Sequence, residues 1–254
     1  MRTAGLKARM AAGDVLAGTF VKIPDVTVVE VLAQSGLDFI VLDAEHASWD
    51  RRSLDAALAV ARALDFPVLL RVGAGTPKDI LQALDAGAVG IVVPHVDSVA
   101  KAEEIAQAAH FGRGGRGFAG STRWAGFATR PMADILAQDS ETIVIAQIVE
   151  PEGVDVVEAI AAVPGIDALF AGPADLTVGY GLRVMGSPEL EAALARIGAA
   201  CEAAGKTFVS WVPDAARAKD WSAYGMRMFV IASDHTWLRA GAAEAARGVH
   251  DITG

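Results

Sequence analysis

Three features are scarce in this sequence: cysteine, long apolar runs and clustered positive charge. The only cysteine, Cys201, lies in an alanine-rich segment with helical spacing, which excludes an intrachain disulfide and favours a small buried side chain over a nucleophile. No apolar stretch approaches the ~20 residues that cross a bilayer, and residues 11–18 break any signal-peptide core. These absences predict a cytoplasmic protein that does not enter a membrane.

Positive charge is outnumbered by negative charge. The chain has 22 lysines and arginines against 31 aspartates and glutamates, for a net charge of −9. No basic run or arginine-aromatic patch offsets this balance, which argues against nucleic acid as a partner. Small-molecule substrates are the expected partners.

Eight short apolar segments recur along the chain, with helical segments between them. Strands are predicted at 16–23, 38–43, 67–72, 88–94, 142–149, 166–172, 206–212 and 226–233. Helical spacing is clearest at 50–65, 76–87, 98–112, 152–165 and 189–205. Nearly unbroken apolar strands are typical of a parallel sheet covered on both faces, so eight such units predict a (β/α)₈ TIM barrel, a single domain over residues 1–254.

One long irregular segment interrupts this alternation. Residues 111–130, FGRGGRGFAGSTRWAGFATR, contain Arg113, Arg116, Arg123 and Trp124. A loop of this length in a compact domain usually has a function. Its glycine spacing is not a dinucleotide fingerprint, because it neither follows a strand directly nor opens a helix, and no organic cofactor is predicted.

Polar residues end most of the predicted strands. Active sites of (β/α)₈ barrels form at the carboxyl ends of the strands. In strand order, the residues at these ends are Asp43, Glu45 and His46; Arg71; Pro94 and His95; Gln147 and Glu150; Gly172, Pro173 and Asp175; Trp211; and Ser233, Asp234 and His235. Each alone is more often a helix cap or a solvated turn, and Asp234 is expected to cap the last helix. Their convergence predicts an active site.

The chemistry of these residue types suits proton transfer beside a carbonyl group. Carboxylates from the fifth and sixth strands, Glu150 and Asp175, could hold a divalent cation and leave positions for water and substrate. Arg71 offers a planar fork to a carboxylate or oxyanion, and His46 is suited to proton transfer near neutral pH. Metal, fork and base together predict a metal-dependent aldolase.

A Schiff-base aldolase is the mechanistic alternative, and it needs a lysine at a strand end. Lys206 lies at the wrong end of the seventh strand. Lys22 follows the first strand and is expected to extend its ammonium group to solvent at the rim. The metal-dependent mechanism is therefore preferred.

Four motifs carry a resemblance to a known family. They are FIVLDAEHA, LLRVGAGTPKDILQALDAGAVGIVVPHVDS, GRGGRGFAGSTRW and GIDALFAGPADLTVGYG. With them, nearly the whole chain resembles the class II pyruvate aldolases of the HpcH/HpaI type. The resemblance implies a barrel that commonly forms a hexamer, as a trimer of dimers with exchanged C-terminal helices, and that binds pyruvate through Mg²⁺, Mn²⁺ or Co²⁺.

The resemblance also implies roles for individual residues. His46 would transfer protons, oriented by Asp85, while Arg71 would bind the pyruvate oxygens and stabilise the enolate. Asp175 would be a metal ligand. The other implied substrate contacts are the backbone at Gly172, Pro173 and Ala174, which would receive the pyruvate carboxylate, with Gln147 beside it, and Arg123 in a loop near a subunit boundary. Trp211, at the end of the seventh strand, is added as a substrate contact.

One departure from the family pattern concerns the second metal ligand. The family usually reads Gln-Ile-Glu at the end of the fifth strand, whereas this chain reads AQIVEPEGV, which places Val149 at the ligand position and Glu150 one residue later. One residue along a strand turns a side chain to the other face. A bulge at the strand end could return Glu150 to the pocket; otherwise Glu150 caps the following helix.

Two further functions remain open. One is an acyl-CoA ester lyase of the malyl-CoA or citryl-CoA type, for which only the loop with Arg113, Arg116 and Arg123 could bind the CoA phosphates. The other is a catalytically weakened oxo-acid-binding protein, with Val149 as the reason for the weakness. His95 and His235 are expected to be hydrogen-bonded strand-end histidines rather than metal ligands.

Overall fold

The protein, described over residues 2–253 by a computed structural model, is a closed barrel of eight parallel strands. The strands are β1 (Leu16–Val21), β2 (Phe39–Asp43), β3 (Val68–Arg71), β4 (Gly90–Val93), β5 (Ile143–Ile148), β6 (Ala168–Ala171), β7 (Thr207–Val212) and β8 (Met228–Ser233). Spatial neighbours follow chain order, and β8 pairs with β1 to close the barrel. The predicted (β/α)₈ architecture is confirmed.

Helices connect the strands and cover the barrel. They are α1 (Arg2–Ala11), α2 (Val26–Ala33), α3 (Arg51–Ala63), α4 (Pro77–Asp85), α5 (Val99–Ala109), α6 (Met132–Gln138), α7 (Pro151–Asp155), α8 (Val157–Ala161), α9 (Pro173–Gly179), α10 (Pro188–Ala204), α11 (Ala215–Trp221) and α12 (Asp234–His250). Short 3₁₀ turns follow α6, α11 and α12 at Asp139–Glu141, Ser222–Tyr224 and Asp251–Thr253. The helix expected over 152–165 is interrupted at Val156, where φ is −121°.

Capping interactions fix where the helices after β2 and β3 begin. The Asp50 carboxylate accepts a hydrogen bond from the backbone N–H of Ser53, and the Ser53 hydroxyl accepts one from the backbone N–H of Asp50. Thr76 and Asp79 form the same box around Pro77 at the first helical position. These caps set the lengths of the loops that carry the polar residues beyond β2 and β3.

Two apolar layers stabilise the barrel. The outer layer lies between the strands and the helices, and includes Ile40, Leu42 and Ile91. The inner layer fills the barrel, where Phe39 and Met228 are fully buried with Leu6 of α1. Helix α1, which the sequence analysis did not predict, therefore closes the amino-terminal end of the barrel and leaves the carboxyl end for a site.

The last helix, α12, is mostly exposed. Its apolar residues Trp237, Leu238 and Val249 are among the exposed large side chains. Its contacts within the chain are chiefly with β1, β8 and the turn that follows it. Within residues 2–253, no helix combines the length and hydropathy needed to cross a bilayer.

Candidate active site

A buried ion pair joins the ends of β2 and β3. Asp43 and Arg71 are register partners, and both lie in the barrel mouth with side chains 0% and 7% exposed. The carboxylate accepts from Arg71 Nε at 3.0 Å and from Nη2 at 2.7 Å. The guanidinium also lies 4.4 Å from the centre of the Phe20 ring. Arg71 is therefore held in one orientation by a bidentate partner and an aromatic face.

Lys22 contributes a second cation to the same carboxylate. Its Nζ lies 2.8 Å from Asp43 Oδ2. Burial alone would raise the pKa of Asp43, but the hydrogen bonds and charge of Arg71, together with Lys22, outweigh burial and lower the pKa to about 2. The expected extension of Lys22 to solvent is wrong, because its ammonium group turns inward to a buried anion.

Two histidines and two glutamates form a connected group beside Arg71. Glu45 Oε2 lies 3.3 Å from Arg71 Nε and 3.7 Å from His46 Nε2, while Glu45 Oε1 lies 3.3 Å from His95 Nε2. The other nitrogen of His95, Nδ1, is hydrogen-bonded to Glu150 Oε1. That bond raises the pKa of His95, and the charge of Glu45 adds to the effect. The group thus links the ends of β2, β4 and β5.

His95 has an unusual backbone conformation. Its φ of 58° lies in the left-handed region, which few residues other than glycine adopt. Such conformations concentrate at functional sites. The expectation of a hydrogen-bonded strand-end histidine describes its contacts, but its position between two carboxylates makes it part of the site.

The two residues that follow β5, Val149 and Glu150, point in different directions. Val149 is buried, and its Cγ1 would lie only 2.6 Å from a Cβ atom on Gly172. The same point would be 3.0 Å from Asp175 Oδ2, so Val149 and Asp175 flank Gly172, where only glycine fits. Glu150 instead faces His95. It occupies the N-cap position of α7 but makes no side-chain capping bond.

The oxygen donors near these strand ends suit a hard divalent cation. Among the described residues, no group of three His, Cys, Asp or Glu side chains is arranged to hold an ion. However, Glu150 Oε2 and Gln147 Oε1 are buried without a hydrogen-bond partner in the described part of the chain. Carboxylate and amide oxygens are the ligands that Mg²⁺ and Mn²⁺ prefer. Asp175, in the first turn of α9, adds a carboxylate on the Gln147 side of Gly172, so the residues present include the oxygen donors that such a cation takes, with water and substrate completing its coordination.

The ends of β7 and β8 support the mouth through the backbone. Trp211 is partly buried, and its indole N–H donates to the carbonyl of Ala232 at 3.0 Å. The predicted capping role of Asp234 is wrong, because Ser233 is the N-cap of α12. The buried Asp234 carboxylate accepts instead from the backbone N–H groups of Lys22 and Ile23. It therefore fixes the chain just beyond β1.

Asp85 and Arg123, two predicted site residues, lie away from the mouth of their own barrel. Asp85 ends α4, toward the amino ends of the strands, and its carboxylate pairs with Arg116 Nη2 at 2.5 Å. Arg123 Nη2 lies 2.8 Å from Asp55 on α3. Both line an outer groove of about 790 Å³ between α3 and α4. Within one chain, the structure brings neither residue to His46 or Arg71.

Comparisons with known proteins identify the family. The model of the HpcH/HpaI aldolase/citrate lyase family matches residues 16–240. The chain belongs to this family. A hydroxypyruvate/pyruvate aldolase from Roseovarius nubinhibens is 35% identical, over 85% of this chain and 86% of the relative. A 5-keto-4-deoxy-D-glucarate aldolase from Klebsiella pneumoniae is 34% identical, over 90% of each chain.

A solved structure gives the same result for the fold. An HpcH/HpaI aldolase/citrate lyase family protein from Burkholderia cenocepacia superimposes with a TM-score of 0.92 at 33% identity, covering 98% of this chain and 100% of that one. Together with the named relatives, this shows that the protein is an aldolase, a carbon–carbon lyase.

The structure adds three groups to the predicted site. Lys22, His95 and the backbone-binding carboxylate of Asp234 were each assigned a peripheral role in the sequence analysis, and each is part of the mouth. The only available signal was their placement at strand ends. The roles of these three residues depend on the directions in which their side chains point, and the spacing of residues along the sequence does not indicate those directions.

Proposed function

We propose that the protein cleaves 4-hydroxy-2-oxo acids to a pyruvate-type oxo acid and an aldehyde, and that it also catalyses the reverse reaction. The observation that supports this most directly is the pairing of a rigid cation with a cluster of acids and histidines at one barrel mouth: Arg71 on Asp43, beside Glu45, His46, His95 and Glu150. Relatives named for hydroxypyruvate and pyruvate support an oxo acid of three carbons.

Arg71 is assigned to the oxygen atoms of the oxo acid. The bidentate bond to Asp43 and the Phe20 ring hold the guanidinium in place before substrate binds. A preoriented cation stabilises the oxygen that becomes negative when a C3 proton leaves, and it does so without reorganisation during the reaction. The backbone at Gly172, Pro173 and Ala174, with Gln147 beside it, is assigned to the substrate carboxylate.

His46 is assigned to proton transfer at C3. Its side chain is 57% exposed, and its Nε2 is 3.7 Å from Glu45, so the ring can move toward a bound substrate and exchange a proton with it. Asp85 and Arg123 line an outer groove of the barrel, and we assign them to a site only across a subunit boundary. Trp211 is assigned to the apolar side of the pocket.

Glu150 and Asp175 are assigned to a divalent cation, either Mg²⁺, Mn²⁺ or Co²⁺. The unpartnered buried oxygen of Glu150, and the position of Asp175 at Gly172 just beyond β6, support this assignment. When bound, such an ion supplies Lewis-acid stabilisation of an enolate oxygen. The family is generally dependent on a divalent metal.

We also propose a homo-oligomer, a hexamer built as a trimer of dimers that exchange α12. The exposed apolar side chains of α12, Trp237, Leu238 and Val249, support a partner for this helix. Light scattering of the full chain and of a chain ending at residue 233 tests the assignment. A monomeric full chain would contradict it.

The acyl-CoA lyase alternative receives little support from the arginine-rich loop. Arg116 is buried and paired with Asp85, and Arg123 is paired with Asp55. Only Arg113 of the three remains exposed, which is too little positive charge for the phosphates of CoA.

Release of pyruvate from a 4-hydroxy-2-oxo acid, with Mg²⁺ or Mn²⁺ and with a chelator, tests the proposed function. We expect turnover that the chelator abolishes and the metal restores. Arg71→Met should remove activity, while Arg113→Met, at an exposed position of the loop, serves as the matched control. Turnover that is unaffected by the chelator would contradict the assigned ion.

A further inference from the structure

Lys22 is a partly buried cation to which the function proposed above assigns no role. It follows β1 directly, and its side chain, 24% exposed, ends on the fully buried carboxylate of Asp43. Its backbone is fixed as well, because Asp234 accepts from the N–H of Lys22 at 3.0 Å and from that of Ile23 at 2.8 Å. The ammonium group is therefore placed, rather than mobile, at the β1 side of the mouth.

Lys22 completes the contacts of Asp43. Oδ1 accepts from Arg71 Nε and from the backbone N–H groups of Glu45 and His46, at 3.0 to 3.2 Å, whereas Oδ2 accepts from Arg71 Nη2 at 2.7 Å and lies 2.8 Å from Lys22 Nζ. Each carboxylate oxygen offers about two lone-pair sites, so Lys22 fills the second site of Oδ2. Arg71 also lies 3.3 Å from Glu45, so Lys22 and Arg71 together balance the charges of Asp43 and Glu45. This contact engages one of the N–H groups of Lys22.

The ammonium group keeps donors for another molecule. It has three N–H groups, and Asp43 is its only partner among the residues whose side chains the structure describes, 5–252. Partly burying a cation and leaving its donors unused is costly, unless a ligand completes its hydrogen bonds. The ammonium group lies beside Arg71, because both cations contact Asp43 Oδ2, and the side chain of Lys22 is 24% exposed.

The order of strands decides which part of a substrate Lys22 would meet. The oxo acid is assigned to the side of β5 and β6, and its C3 atom must face the proton-transfer group on β2, where Glu45 and His46 lie. The neighbours of β2 are β3, which carries Arg71, and β1, which leads to Lys22. A substituent on C3 that lies on the β1 side of β2 is therefore in the part of the mouth that contains Lys22.

We propose that Lys22 is a specificity-determining residue that binds the hydroxyl oxygen on C3 of a 3-hydroxy-2-oxo acid. This inference rests on the proposed function. Arg123, an expected substrate contact, is paired with Asp55 on the outer surface, so within one chain Lys22 is the cation that lies beside Arg71 in the mouth. Pyruvate, which lacks the C3 oxygen, uses Arg71 without this contact.

The test is exchange of the C3 protons of pyruvate and of hydroxypyruvate with deuterium, followed by NMR with Mg²⁺ and without an aldehyde. Wild type, Lys22→Met and Lys22→Arg are compared after subtraction of the uncatalysed rate. A hydrogen bond to a charged group contributes enough that we expect Lys22→Met to lower kcat/KM for hydroxypyruvate about 10- to 100-fold more than for pyruvate. Lys22→Arg should restore part of this selectivity. Lys219→Met removes an equal charge from an exposed position on α11 and should leave the ratio unchanged.

Two outcomes would overturn the inference. Equal losses for the two oxo acids would mean that Lys22 acts only through Asp43 and Arg71. A change confined to assays with different aldehydes would place Lys22 beside the other substrate. If wild type exchanges neither oxo acid, the proposed function fails, and calorimetric binding of both acids to wild type and Lys22→Met decides the role of Lys22. Lys22→Gln replaces Lys22→Met if the latter does not fold.

Discussion

Asp43→Asn is the most informative perturbation of the barrel mouth. The amide keeps the size of the side chain but removes the charge that Arg71 and Lys22 share at 2.7 and 2.8 Å. Breaking a buried ion pair by removing one partner costs about 3–5 kcal/mol, because the remaining charge is left unpaired. We expect a loss of this size in the free energy of unfolding at pH 7, together with loss of activity.

The pH dependence of this difference tests its electrostatic origin. The pKa of Asp43 is lowered from 3.8 to about 2 in the folded protein, which corresponds to about 2 kcal/mol of stability. A depressed carboxyl pKa contributes its stability in full above the unfolded value, and loses it as pH falls through the folded value. The advantage of wild type over Asp43→Asn should therefore shrink by about 2 kcal/mol between about pH 5 and pH 2.

Urea unfolding followed by circular dichroism, at one protein concentration, measures the difference at each pH. Asp55→Asn is the matched control, because the Asp55 side chain is 56% exposed in its pair with Arg123. Exposed pairs contribute about 0–1 kcal/mol. Parallel curves for wild type and Asp43→Asn across the acid range would refute the assignment of a depressed pKa to this carboxylate.

Further predictions concern the two halves of the mouth. Val149→Glu places a carboxylate beside Asp175 and should tighten Mn²⁺ binding, measured by calorimetry. If Val149 weakens the native metal site, the variant should also be more active than wild type. Unchanged activity would favour Glu150 as the native ligand. Glu150→Gln should weaken Mn²⁺ binding. In metal-free protein it should also lower the pKa of His95, read from NMR titration of the ring, because the Glu150 hydrogen bond is the largest cause of the raised value. Arg71→Lys keeps the charge but loses the bidentate bond to Asp43, and kcat/KM should fall about 100-fold.

The barrel itself could be predicted because its strands are short, apolar and buried on both faces. The strand expected at 67–72 is observed as Val68–Arg71, and the helix expected at 50–65 as Arg51–Ala63. Helix α1 was missed because it is short and contains only two large apolar residues. Leu6 and Met10, four residues apart, are the signal that could have indicated a single buried stripe.

The site could be predicted as a set of residues but not as a set of contacts. Asp43 and Arg71 meet because β2 and β3 are adjacent, and adjacency follows from the order of strands. The direction of Lys22 depends on Asp234, which lies 212 residues away and holds the backbone beyond β1. Capping by Ser233 rather than Asp234 shifts the start of α12 by one residue, and no rule of sequence separates those two cap residues.

The one-residue shift at the end of β5 connects these results. Val149 takes the direction toward Gly172 and Asp175, so Glu150 lies one position later and reaches His95 instead. His95 in turn contacts Glu45, which contacts Arg71, so the acid displaced from one half of the mouth joins the proton-transfer half. A cation bound by Glu150 would therefore compete with His95 for the same carboxylate. Metal affinity and the protonation of His95 should for this reason vary together, and a Val149→Glu chain, with its own ligand beside Asp175, should uncouple them.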